Sequence, residues 1–252
     1  MVNFLLSANE CRKNVKIALL AGPMMAVMVL ALPAPGSAAP RGEDPETVLS
    51  RIREKVTVMY DRYIGVEARR EIESKQYDSR NFELRTSYRA VVIRKEYFYK
   101  KAEYTVLQFF KDGKELPPKK YNFRTVDPVF PPLDRNNDEN YRVTVTGKRV
   151  IGGRECYELE IVPKKKTKRH LSGKAYFTVN GLDLYYIEGT VADYPFGVKS
   201  LEIKLYFKKA GDISVLSHGG YIVKIDIPVF YSHRMFVNTF RSFDDRPIPA
   251  PK

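Results

Sequence analysis

Three histidines, His170, His218 and His233, and two cysteines, Cys11 and Cys156, are the first residues to test for chemistry. No histidine adjoins a Ser or Cys in a nucleophile-elbow pattern, and neither a His-Glu-x-x-His helix nor a dinucleotide-binding loop is present. Three scattered imidazoles leave little room for a histidine-rich metal centre. Asp244-Asp245 lies close to a Pro-rich end, where a solvated terminus is expected. No catalytic residue, metal site or cofactor is therefore assigned. A hydrolase assembled from distant residues is the competing class, and convergent polar side chains in a pocket would mark it. Arg70 is the one conspicuous polar residue on an otherwise apolar strand face. It is a candidate inward group, either for a ligand or for an internal ion pair.

The chain has 252 residues and a formal charge of +13, with 44% hydrophobic residues. That supports one good-sized core or two small ones and excludes a multidomain machine. The charge is spread along the chain apart from Lys164-Lys-Lys-Thr-Lys-Arg-His170, read as a solvated loop, with an anionic membrane surface as the alternative. No nucleic-acid motif accompanies it, and nucleic acid is not expected as a partner.

The first residues are of a different class. Arg12, Lys13 and Lys16 precede an uncharged apolar run from Ile17 to Pro33, followed by Ala34-Pro-Gly-Ser-Ala-Ala39. This reads as a secretory signal over residues 1–38, cleaved after Ala38 or Ala39. A short membrane anchor is the alternative, although the run falls below the ~20 residues that span a bilayer. Cys11 sits before the apolar run, not where an acylated lipoprotein cysteine belongs. Cys156 would then be the only mature thiol, and a buried structural role is expected for it.

Asp44-Pro-Glu supplies a helix N-terminus, with Asp as cap and Pro at the first helical position. Val48, Leu49, Ile52, Val56, Met59 and Tyr63 then fall on one stripe, so this helix must lie against something.

From Val66 onward the period is two. Val66, Ala68, Arg70, Ile72 and Ser74 share one strand face. Further runs follow from Glu83 to Phe110, and Lys111-Asp-Gly-Lys114 predicts a hairpin turn. Tyr141 to Val145, Tyr157 to Ile161, Ala175 to Val179 and Leu184 to Val191 continue the pattern, with Asn180-Gly181 as a second hairpin signal. Leu201, Ile203, Leu205 and Phe207 alternate with polar neighbours, as do Tyr221, Val223, Ile225 and Ile227, and a last run spans His233 to Phe243.

The fold class is mainly β with helical cover. The expected architecture is a strongly curved antiparallel sheet, a half-barrel of about 9–11 strands wrapped around one or more helices, because a long meander must cover its apolar face. The 124–138 region is expected to add limited helical cover. Residues 39–243 form a single domain in this reading and residues 244–252 a flexible tail.

The segment from Tyr141 to Lys164, with its Gly153-Arg-Glu-Cys-Tyr157 strand, then Gly173-Lys-Ala-Tyr-Phe-Thr-Val-Asn-Gly-Leu182 and Ile187-Glu-Gly189, resembles the periplasmic lipoprotein-carrier superfamily. That group includes the outer-membrane lipoprotein-sorting proteins and their receptor and anti-sigma-regulator relatives. The likeness covers residues 44–243 in outline and 141–189 in motif. It implies a periplasmic protein, not an enzyme, whose apolar concave surface shields the acyl chains of a lipoprotein or lipid. The residues expected to contact such a ligand are Arg70, Ile72, Tyr157, Leu159, Phe177, Val179, Leu201, Ile203, Leu205 and Phe207. The early strands lack the Arg-Pro pair of the classical carrier, so that carrier's arginine has no counterpart here. Envelope membrane proteins are further expected partners, a monomer is the expected state, and a non-transporting lipid-sensing or protein-binding module is the alternative function.

Overall fold

The computed structural model describes residues 43–98, 102–118, 133, 139–167, 170–194, 197–227 and 232–251. The expected signal segment and most of the 124–138 region lie outside these residues.

Helix α1 spans Pro45–Arg62, and its start follows the sequence signal. Asp44 Oδ2 accepts a hydrogen bond from the Thr47 backbone N–H at 2.9 Å, Pro45 opens the first turn, and Glu46 meets the positive end of the helix dipole. Val48, Leu49 and Ile52 are buried, and Val56 and Met59 continue the stripe half-buried. No loop follows: Tyr63 is already extended and begins the first strand.

Eleven strands form one sheet: β1 (Tyr63–Asp78), β2 (Leu84–Tyr97), β3 (Glu103–Lys111), β4 (Lys114–Leu116), β5 (Tyr141–Ile151), β6 (Arg154–Pro163), β7 (Leu171–Thr178), β8 (Leu184–Val191), β9 (Val198–Ala210), β10 (Ile213–Ile227) and β11 (Ser232–Pro249). The order is β4-β3-β2-β1-β11-β10-β9-β8-β7-β6-β5, and every neighbouring pair is antiparallel. Both hairpin signals mark turns, and Asp112 and Gly113 carry the positive φ angles, 48° and 78°, that their two-residue loop requires.

The sheet is not the expected half-barrel. The sheet is open, with β4 and β5 as its two edges, and it is neither strongly curled nor closed around the helix. The apolar face is covered unevenly instead of being enclosed. The buried stripe of α1 packs on β5, β6 and β7 through Tyr141, Val143, Leu159, Ile161, Ala175 and Phe177, joined by Leu133. The end of the helix meets β1 and β10, where Met59 and Tyr63 pack with Val66, Ile213 and Val215. Farther along β1, a separate cluster of Ala90, Val92 and Phe109 receives Ile72. α1 is the only helix among the described residues, and none there is long and apolar enough to cross a membrane.

The segment from Asp244 onward also differs from the expected tail. After a bulge at Asp244, with φ 51°, β11 runs on so that Arg246, Pro247, Ile248 and Pro249 pair with Glu67, Val66, Gly65 and Tyr63. The bulge restores pairing with β1 and keeps the chain in the sheet to Pro249.

Two consequences for stability can be measured. Ile52 is fully buried between helix and sheet, so Ile52→Ala should cost about 2–5 kcal/mol in urea unfolding, with little change in the denaturant slope. Asp78, buried at the β1–β2 turn, accepts from the Arg80 backbone N–H at 3.0 Å and is paired with the Arg80 and Arg85 guanidiniums. Hydrogen bonds from Arg80, then Arg85, hold its carboxyl well below the usual range despite burial. The stability it supplies is therefore full above the unfolded value of about 3.9 and is lost as pH falls toward the lower folded value. Both arginines are at least half exposed, which screens the attraction. Asp78→Asn should cost about 1 kcal/mol at neutral pH and give a shallower fall in Tm between pH 4 and pH 2 than the parent protein.

Candidate functional site

The ten residues expected to contact a ligand divide into groups. Tyr157, Leu159 and Phe177 are buried beneath α1 and fill the core, while Val179 and Ile203 pack at its margin. The Tyr157 hydroxyl donates to Glu43 Oε2 at 2.7 Å, tying β6 to the residue before the helix cap. Burial and this bond together push the phenol up to about 12. Leu201 and Leu205 share the strand face of Ile203 by alternation and are half-buried, as is Phe207. Ile72 lies level with Phe240 of β11, Phe240 with Gly219 of β10, and Gly219 with Leu205. In the next row Asn238, Tyr221 and Ile203 follow one another. On this side of the sheet, beyond the helix, the apolar side chains Ile72, Leu201, Ile203, Leu205, Tyr221, Val223 and Phe240 are all half-buried. Asn238 is buried among them, and its Nδ2 finds no acceptor among the described residues.

Arg70 is only 2% exposed, and its charge is matched internally. One guanidinium nitrogen pairs with Glu96, Nε donates to Ser242 Oγ at 3.3 Å, and the guanidinium lies 5.6 Å from the Phe240 ring centroid. Arg94 pairs with the other oxygen of Glu96 and lies over Tyr104. Burial pushes the Glu96 carboxyl up, but Arg70 and Arg94 together outweigh it and hold the group below its ordinary value. Ser242 donates in turn to Asp245 at 2.6 Å, and Lys208 pairs with Asp245 at 2.7 Å. Asp245, expected in a solvated terminus, thus ends a polar chain that links β1, β2, β9 and β11.

The opposite face has its own organisation. Tyr176, Tyr186, Tyr206 and His218 stand side by side on β7, β8, β9 and β10, with ring centroids 5.5, 4.6 and 4.6 Å apart. The Tyr176 and Tyr186 hydroxyls donate to the two oxygens of Glu188 at 2.9 and 3.1 Å. Burial, then Glu188, pushes both phenols well above their usual range. Cys156 is fully buried in the same cluster, where burial pushes its thiol up, against nucleophilic use.

At the His218 end of this row lies an open cavity of about 700 Å³. Its floor is main chain at Gly219 and Gly220, flanked by Ile222, Val237 and Thr239, and its rim carries Glu71, Glu73, Glu202, Arg89, Lys204 and Arg241. The two glycines are required by backbone spacing. A Cβ at Gly219 would sit 2.3 Å from the Lys204 carbonyl oxygen, and one at Gly220 would sit 2.2 Å from that of Asn238. None of the ten expected ligand residues lines this cavity. Two successive glycines inside an otherwise apolar strand are the signal that could have located it.

The remaining histidines are separate from one another. His170 is buried against Tyr141, its Nδ1 2.6 Å from Thr167 Oγ1, and His233 Nδ1 is 2.9 Å from Asp226 Oδ1. Among the described residues, no group of His, Cys, Asp and Glu could hold a metal ion. Of the basic loop, Lys164 is anchored through its backbone N–H to Asn140 O at 2.8 Å, while Lys168 and Arg169 lie outside the described residues.

No family model and no curated protein matches the sequence. Solved structures do. A DUF1329 family protein from Desulfovibrio piger is 12% identical, with 79% of this chain and 93% of that one covered and a TM-score of 0.39. A LolA superfamily protein from Nitrosomonas europaea is 11% identical over 81% and 94% of the two chains, with a TM-score of 0.39. A domain from Vibrio parahaemolyticus described as an outer membrane lipoprotein-sorting protein is 10% identical over 79% and 93%, with a TM-score of 0.42. The second and third of these carry names of the group that the segment from Tyr141 to Gly189 resembles.

Proposed function

We propose that this chain is an exported, non-enzymatic binding protein of the periplasm that shields the acyl chains of a lipoprotein or lipid against the helix-side face of its sheet. The observation that carries the reading is the unevenly covered face. Beneath α1 the side chains are fully buried, whereas Ile72, Leu201, Ile203, Leu205, Tyr221 and Phe240 on the same side remain half-buried. A contiguous apolar surface of this kind binds by area, with no polar group needed at a fixed position. Each acyl methylene laid on it contributes up to about 0.8 kcal/mol. Tyr157, Leu159 and Phe177 support that surface from below the helix, and Arg70 bounds it.

One feature favours a second reading, a non-transporting envelope module that docks a protein. β5 is an outermost strand of the described sheet, eleven residues long and largely exposed from Thr146 to Val150. Such an edge can accept a partner strand.

Native mass spectrometry of the protein purified from its own periplasm should show bound lipid or acylated peptide. Leu205→Gln places an unpaired amide in that surface, a penalty of about 1–3 kcal/mol, and should lower bound acyl ligand roughly tenfold with an unchanged circular dichroism spectrum. A parent protein that emerges empty overturns the acyl reading, and one that emerges with a protein partner replaces it with the second.

A further inference from the structure

We propose a second binding site on the face opposite α1, in the cavity over Gly219 and Gly220, for a small amphiphile that carries one anionic group, a carboxylate or a phosphate monoester. It is distinct from the acyl surface, because Lys204, Tyr206, His218 and Arg241 alternate with that surface's side chains and project from the other side of the same strands, while Tyr221, Asn238 and Phe240 border both.

The charges decide the sign of the ligand. Lys204 and Arg241 are exposed on the rim and form no ion pair or hydrogen bond through their side chains among the described residues. The neighbouring carboxylates are engaged elsewhere. Glu71 pairs with Arg89 and Glu73 pairs with Lys75 at 3.1 Å; Glu188, level with Lys204, keeps its charge while accepting from Tyr176 and Tyr186, and it lies outside the cavity lining. Of the rim acids, Glu202 alone has no ion partner among the described residues, so two unpaired rim cations face one unpaired rim acid.

Geometry places the two cations on either side of bare main chain. Lys204 is level with Gly220, and Arg241 is level with His218. They stand on strands two steps apart and two residues out of register, about 12 Å, with no side chain beside Lys204 at Gly220 and the His218 ring beside Arg241. Two long cationic side chains can converge over that gap on one anion. The apolar remainder of the ligand has a wall ready. The Tyr206 and His218 rings lie 4.6 Å apart and 3° from parallel, and Ile222 and Val237 continue the surface on the other side of the floor. The volume of about 700 Å³ is within the usual range for a small-molecule site.

Octyl phosphate, octanol and inorganic phosphate, titrated into the exported full-length protein and followed through the His218 ring resonances, test the assignment. Octyl phosphate should bind at least tenfold more tightly than either of the others and weaken severalfold between 0.02 and about 0.2 M salt, as screened exposed charges require. Lys204→Gln with Arg241→Gln should weaken it about tenfold or more. Thr239→Trp, which lays an indole beside the bare main chain of Gly220 without changing charge, should weaken it severalfold. Leu205→Gln should leave it unaltered, which separates this site from the acyl surface. Binding that is equal for octanol or for inorganic phosphate, that survives both sets of substitutions, or that fails in the folded parent protein overturns the proposal.

Discussion

The pairing of β1 with β11 holds this protein together. The ladder runs from Tyr63 opposite Pro249 to Asp78 opposite Arg234 and joins the two ends of the described chain in the interior of the sheet. On one side of the join lies the meander β1 to β4, and on the other the meander β5 to β11. Remove the join and two smaller sheets remain, each with a new edge. Helix α1 depends on the same seam, since it leads directly into β1 yet buries Val48, Leu49 and Ile52 on β5 to β7. The core beneath the helix therefore needs α1 to meet strands that lie far along the sequence from it. The loop-closure entropy of that meeting is lost before the contacts repay it, the situation in which folding is slow.

A single layer of strands with one helix leaves both faces with work to do. On the helix side, α1 buries the sheet at β5 to β7 and a separate cluster of Ala90, Val92 and Phe109 is buried away from it, while between them Leu201, Ile203, Leu205 and Phe240 are only half-buried. On the other side the sheet is finished by tyrosines. Tyr176 and Tyr186 place their rings against neighbouring rings and their hydroxyls on Glu188. An amphipathic side chain can close a sheet face in this way without a second layer, because the ring is buried and the hydroxyl is satisfied. The row stops at His218, and the main chain of Gly219 and Gly220 is then open.

Local chemistry was legible in the sequence to the extent that neighbours in the chain determine it. Asp44 and Pro45 start the helix where their side chains predict, Asp112-Gly113 turns the chain, and the alternation from Val66 places Arg70 and Ile72 on one face. The shape of the whole was not. Alternation specifies that a face is apolar but not how many strands one helix covers, so a half-barrel and an open sheet share the same pattern. Asp244-Asp245 was misleading for a related reason. Its proline-rich surroundings suggest a tail, yet the bulge at Asp244 and the pairing of Arg246 to Pro249 with β1 depend on a strand more than 160 residues away. The cavity was missed because the pattern of side chains draws attention to apolar residues, whereas this site is built around two positions that have none.

Arg70 shows how a residue singled out correctly can still have a different use. Its burial is as expected for an inward group, but its guanidinium already has Glu96, Ser242 and the Phe240 ring as partners. Taking Glu96 away would leave a buried cation uncompensated, a situation that typically costs more than the pair contributes. An anionic headgroup arriving at this margin would have to compete with Glu96 for Arg70, whereas Arg94 Nε has no acceptor among the described residues. Arg94 reaches the same carboxylate and is more exposed, so any positive field at the edge of the apolar face comes from Arg94. Arg70 ties β1 to β2 and to β11, and it thereby reinforces the seam on which both faces depend.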